Sequence, residues 1–325
     1  MISNKRIRTL PRIKTVIVML SGFVLSAPAS ASCGVSFCLV NTDWAIQGAW
    51  LDHGVHLDLR YEQVGQGQLM RGSDKLNVNQ TDVGNHEVET RSHRWLANLD
   101  YGLIEHWGFS ASLPFLDRSH EHTENGKPVT WNFRQIGDAR IMARYQTALF
   151  EDAQGGAAVS GFNLGLKLPT GKTTIANDTG TKAERSLQPG TGSTDLLAGI
   201  YYRKILPNLR SSWFVQANIE SPLTEKDGFR PGSKYGFDLG IRTDLNDKIA
   251  PMLQLNLQRK SKDSGSNAEP ENSGGSSVSL SPGISIKLSG KTNVYGFAQI
   301  PLRQSVNGTQ LVANWAATLG LQSTF

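Results

Sequence analysis

His120-Glu121-His122, followed by Glu124, is the stretch whose residue types and spacing most directly suggest chemistry. On an extended chain alternate side chains point the same way, so the two imidazoles could share a metal ion. No distant partner is identifiable, and the sequence favours a solvated loop here, so no metal or cofactor site is assigned. Leu168-Pro169-Thr170-Gly171-Lys172-Thr173 has the look of a phosphate loop. That motif needs four residues between its first Gly and the Gly-Lys; Gly165 leaves five, and no helix follows. Seven histidines and many serines would permit a hydrolase triad, but there is no Gly-x-Ser-x-Gly elbow and no catalytic residue is assigned.

A larger set of ionisable residues recurs at alternate positions of apolar stretches: Asp58, Arg60, Arg94, Asp100, Asp138, Arg140, Lys167, Asp195, Arg203, Asp238, Arg242 and Lys287. From about Gly54 to Gln63, Val55, Leu57, Leu59 and Tyr61 share one face while His56, Asp58 and Arg60 share the other. A soluble core would not tolerate three consecutive ionisable inward positions, whereas a wet lumen would. The same alternation returns in Ser92–Tyr101, where Trp95, Leu99 and Tyr101 oppose Arg94, Asn98 and Asp100, and around 253–258, where three leucines oppose Gln254, Asn256 and Gln258. Val294–Leu302 is ambiguous, since Tyr295 and Phe297 lie opposite Val294, Ala298 and Ile300. About twelve strands of roughly ten residues result, each long enough to cross a bilayer at a tilt. The polar face would brace the barrel by ion pairing and also line a pathway for solutes. Gly165, Gly199, Gly240 and Gly283 on that face would leave space.

The connections set the topology. Gaps after odd strands are mostly long and polar (64–91, 117–133, 169–192, 220–233, 259–276, 303–310), and those after even strands are shorter. Long outside and short inside is the habit of outer-membrane barrels, and Tyr101, Trp107, Tyr145, Tyr202 and Trp213 flank the short turns as an interfacial girdle should. The last twelve residues place Trp315, Ala317, Leu319, Leu321, Ser323 and Phe325 on one face. This resembles the closing strand of Gram-negative barrels, which typically ends in Phe; that resemblance implies recognition by the barrel-assembly machinery.

Residues 1–31 carry a basic start, an apolar run from Val16 to Leu25, and Ala29-Ser30-Ala31, the pattern of a cleaved signal peptide. The run is too short for a membrane helix, so any span must be made of strands. The formal charge of +5 and pI near 9.2 invite a nucleic-acid partner. That reading fails, because Lys5, Arg6, Arg8, Arg12 and Lys14 leave with the signal peptide and the 28 Lys+Arg that remain balance the 28 Asp+Glu. Segment 32–52 reads as an irregular periplasmic lead-in or plug. Its Cys33 and Cys38 are candidates for a small local disulfide in an oxidising compartment; Ser30 spoils a lipoprotein box, and no C-x-x-C-H haem motif follows.

Four stretches carry a further resemblance: Gln135-Ile136-Gly137-Asp138, Gly165-Leu166-Lys167-Leu168-Pro169-Thr170-Gly171, Gln188-Pro189-Gly190-Thr191-Gly192-Ser193-Thr194-Asp195, and Val306-Asn307-Gly308. In order and spacing they resemble a family of Gram-negative barrels assigned to the meta-cleavage pathway of phenol degradation, often called simply transporters. The resemblance covers most of 53–325. It implies a barrel passing small molecules, aromatic or hydrophobic ones among them, with no catalytic residues.

The expectation is therefore an all-β chain in which 53–325 form one transmembrane antiparallel barrel in outer-membrane lipid, passing small solutes. A non-transporting barrel that braces the envelope or displays its loops is the second reading, and a barrel hydrolase the third.

Overall fold

The computed structural model describes residues 32–33, 54–77, 86–104, 106–151 and 156–325. The segments are β1 (Gly54–Gly72), β2 (His86–Ile104), β3 (Trp107–Glu124), β4 (Lys127–Ile136), β5 (Ala139–Gln146), β6 (Ala157–Leu168), β7 (Asp195–Leu206), β8 (Ser211–Pro222), β9 (Lys234–Thr243), β10 (Ile249–Lys260), β11 (Gly275–Lys287) and β12 (Thr292–Thr324). Neighbours pair antiparallel from β12 back to β5, then β3, β2 and β1, and β1 pairs with β12 to close the ring. A closed ring of antiparallel neighbours needs an even number of strands. The 33-residue β12 supplies the parity, because it is a hairpin: its first leg pairs β11, its second pairs β1, and it reverses around Gly308 (φ 59°). Gln304 Nε2 donates to the Ala313 carbonyl and the Thr324 N–H to that of Lys291, so the two legs lie side by side. Twelve strands thus enclose the lumen, as the alternation predicts.

Burial is inverted relative to a soluble protein. Ile200 is 65% exposed and Leu319 60%, whereas Ser281 is fully buried and Gln254 only 1% exposed. Outward leucines and aromatics on every strand form an apolar belt that only lipid can satisfy, while ring closure satisfies the backbone. Five of the interfacial aromatics gather near the short turns, with Trp107 against Tyr145 and Phe162, and Tyr202 against Trp213. Val294–Leu302 resolves with Tyr295 and Phe297 inward, at 1% and 4% exposure.

Three sequence expectations need correction. The polar stretches 64–91 and 117–133 are not simply loops: β1 runs to Gly72, β2 begins at His86, and β3 and β4 form a hairpin that rises beyond the belt. That hairpin turns on Asn125-Gly126, both at positive φ (50° and 75°), the geometry a two-residue turn demands. The inward glycines do not open space either. The Phe214 ring occupies the position a side chain on Gly240 would take, Phe297 covers Gly283, Asn163 meets Gly199 and Met142 meets Gly165.

The two-residue strand Ser32–Cys33 lies parallel to Gln310–Leu311, at the rim far from the short turns. Cys38 and the rest of the 32–52 lead-in fall outside the described residues, and the expected disulfide and cleavage site fall outside them too.

Candidate functional site

The lumen holds a cavity of about 490 Å³ bordered chiefly by inward side chains of β1–β3 and β5–β10. Eight of the twelve sequence-assigned ionisable residues border it: Asp58, Arg60, Arg94, Asp100, Asp138, Arg140, Lys167 and Asp238. Asp195 stands just behind Lys167, its carboxylate 2.6 Å from the ammonium. The remaining three do not border the cavity: Arg203 is buried in the lower wall, Arg242 pairs with Asp244 at 2.9 Å near the short turns, and Lys287 is exposed at the lower end of β11.

Within the wall the charges pair both along β1 and across strands. Arg60 meets Asp58 at 2.5 Å and Glu62 at 3.6 Å, and Arg94 reaches the same Glu62. Arg144 pairs with Asp100 at 3.1 Å, while Glu220 takes Arg140 at 2.6 Å and Lys234 at 2.8 Å. These distances make bracing real. The partners are not equally placed, however. The carboxylate side chains lie against the wall, none more than 10% exposed, whereas Arg140 is 43%, Lys234 29% and Arg94 23% exposed. At Arg94, Arg140 and Lys234, what a solute meets is the cationic end of the pair. Between those cations on β2, β3 and β5 lie Leu96, Pro114, Leu116 and Met142, with Leu96 opposite Pro114 and Arg94 opposite Leu116 in register.

Glu62, Arg118, Glu220, Lys234 and Lys260 are lumen residues that the sequence set leaves out. Glu62 was one more step along the alternation of Asp58 and Arg60. Arg118, Lys234 and Lys260 lie just beyond the strand ends that hydrophobicity alone delimits.

Three of the four resemblance stretches converge on one place. Asp138 accepts from the Gly171 N–H (3.0 Å), the Thr191 N–H (2.9 Å) and the Thr191 hydroxyl (3.0 Å), and Lys167 stands between Asp138 (3.4 Å) and Asp195. Gly171 and Gly190 touch backbone to backbone, with no room for a Cβ on either. This node anchors the 169–194 connection, which turns inward rather than out. Leu187 packs with Leu69, Trp131, Ala183 and Leu311, and its carbonyl accepts from Arg118 at 2.7 Å, so the loop reaches from β6 across the mouth to the β1–β12 seam. Ser186, Gln188, Pro189 and Thr191 of this loop border the cavity.

The His120-Glu121-His122 stretch sits higher, on the rim side of β3. His120 and His122 face inward against Trp131, at ring separations of 5.6 and 4.8 Å. Glu124 is exposed, and the carboxylate that joins the two imidazoles is Glu87 of β2. The distant partner thus exists and comes from the upper end of a neighbouring strand.

No protein-family model and no curated protein matches the chain. Among solved structures it is similar to an outer-membrane channel from Pseudomonas putida F1, at 13% identity and a TM-score of 0.63 over 85% of this chain and 97% of that one. Weaker likenesses include the NanC porin (10% identity, TM-score 0.44, 83% and 100% covered) and the translocator domain of the autotransporter NalP from Neisseria meningitidis (11%, 0.43, 87% and 93%). The fold is that of an outer-membrane β-barrel.

Proposed function

We propose that this barrel is a passive channel for small organic anions, in particular those with an apolar or aromatic body and a carboxylate. The observation that carries the reading is the arrangement of the wall: the heads of Arg94, Arg140 and Arg144 stand beside the apolar patch of Leu96, Pro114, Leu116 and Met142, while the acids are tucked behind. A carboxylate would be held by the cations and a ring by the patch, weakly enough at each to move on. The resemblance to barrels of phenol degradation is consistent with such solutes. Liposomes containing the barrel are expected to swell faster in benzoate than in an uncharged sugar of similar size, and equal rates would count against the anion preference.

The inward 169–194 loop favours a second reading, in which the mouth is capped and the barrel serves as a scaffold. Electrical silence of the folded barrel would support it.

Export by a cleaved signal peptide, assembly through the strand ending at Phe325, and a 32–52 segment occupying the lumen belong to the same reading. The last is supported by Ser32–Cys33 lying beside Gln310–Leu311 at the far rim, while β1 begins at the near one. Deletion of residues 33–50 is expected to raise conductance, and unchanged conductance would remove the plug.

A further inference from the structure

Glu87, His120 and His122 bring their donor atoms within 4.8 Å of one another, and Glu87 Oε2 lies 3.0 Å from His120 Nε2. Donors around one first-row ion, each about 2.0–2.2 Å from it, sit roughly 3–4 Å apart. Glu87 is 4% exposed and its Oε2 makes no hydrogen bond, His120 Nε2 notwithstanding. A buried carboxylate oxygen left without a hydrogen bond is costly unless something else compensates it. The other His120 nitrogen, Nδ1, lies 2.8 Å from the Thr90 hydroxyl, and that contact fixes the ring so that Nε2 faces Glu87.

Two more carboxylates approach from the loops over the mouth. Glu184 Oε1 and Glu269 Oε2 are shielded from water and lack hydrogen-bond partners. Like charges crowd here, Glu184 with Glu87 and Glu269, and Glu269 with Glu271. Crowded, underbonded carboxylates beside two imidazoles are an arrangement that a cation would relieve.

We propose that Glu87, His120 and His122 form the core of a divalent transition-metal site, of the zinc class, beneath the inward loop at the barrel mouth. Two imidazoles with a carboxylate suit zinc and its first-row neighbours rather than calcium or magnesium, which take oxygen donors. The ligands come from two strands, and Glu184 belongs to the loop itself. A bound ion would therefore tie the 169–194 loop to the wall.

The test uses the full mature barrel, folded in detergent, stripped with chelator and titrated with Zn(II), with Co(II) absorption as the spectroscopic readout. One ion per barrel is expected, weakened at least ~100-fold by Glu87→Gln and by His122→Ala and left unchanged by Glu124→Gln on the exposed end of the same strand. Retention of the faster unheated gel band certifies that each variant is folded. Should His122→Ala fail that check, His122→Gln replaces it, and Glu87→Gln decides if both fail. Absence of stoichiometric binding to the wild type, or binding that folded Glu87→Gln and His122 variants retain in full, overturns the proposal.

Discussion

The Tyr295 hydroxyl donates to Asp58 Oδ1 at 2.8 Å across 237 residues of sequence, joining the last hairpin to the first strand inside the barrel. Arg60 Nε donates to the same hydroxyl at 3.1 Å and its guanidinium holds Asp58, so one phenol, one acid and one base lock the seam where the ring closes. Tyr295→Phe leaves both charged groups short of a partner. We expect a loss of about 1–3 kcal/mol, read as a lower midpoint for loss of the unheated gel band in urea. An unchanged midpoint would show that the seam does not depend on this bond.

Phe214 and Gly240 test how the lower lumen is filled. A Cβ on Gly240 would come within 2.1 Å of the Phe214 ring, so Gly240→Val should destabilise the barrel by about 1–3 kcal/mol through overpacking. Adding Phe214→Ala should recover part of that loss, giving a double-mutant coupling of favourable sign. Purely additive losses would mean that the ring is free to move aside.

Leu255 and Asn98 test the two faces. Leu255→Arg directs a charge into lipid from the middle of β10 and should cost about 2–4 kcal/mol. The inward comparison is Asn98→Arg, which borders the cavity. Asn256, beside Leu255, is inward too but unsuitable: it is 1% exposed, donates to Asp238 at 2.7 Å and accepts from Ser281 at 2.7 Å. Equal costs at Leu255 and Asn98 would overturn the register.

The mouth should respond to pH in the absence of metal. The carboxyls of Glu184 and Glu269, in the loops over the mouth, are both raised by burial in the folded state, so each contributes stability below its unfolded value that is lost as pH rises through the folded one. Hydrogen exchange in 169–194 is therefore expected to show more protection, after correction for intrinsic rates, near pH 5 than near pH 8. The opposite order would mean that these groups are not crowded as described.

Strand number, facing and topology were legible because a bilayer makes the period-two pattern strict: outward Leu99, Ile200 and Leu319 meet lipid, and no soluble alternative competes. Strand length was not legible. Beyond the belt the outward side chains turn polar, as at Asp117, Ser119 and Glu121, and hydrophobicity no longer marks a strand that still pairs. Asn125-Gly126 was the available signal for that hairpin. The Glu87 partner of His120 and His122 could not be read because it comes from register across β2 and β3. The inward course of 169–194 likewise depends on Asp138, Lys167 and Thr191 meeting from three separate stretches.

Planar-bilayer recording of the folded mature barrel in a potassium chloride gradient bears most directly on the channel reading. Discrete current steps with a reversal potential favouring anions are predicted. Arg140→Glu should move that potential toward cations, since Arg140 is the most exposed of the wall cations and pairs with Glu220. A barrel that is folded by the gel criterion yet electrically silent, or whose ion preference is indifferent to Arg140→Glu, would contradict a cation-lined pathway.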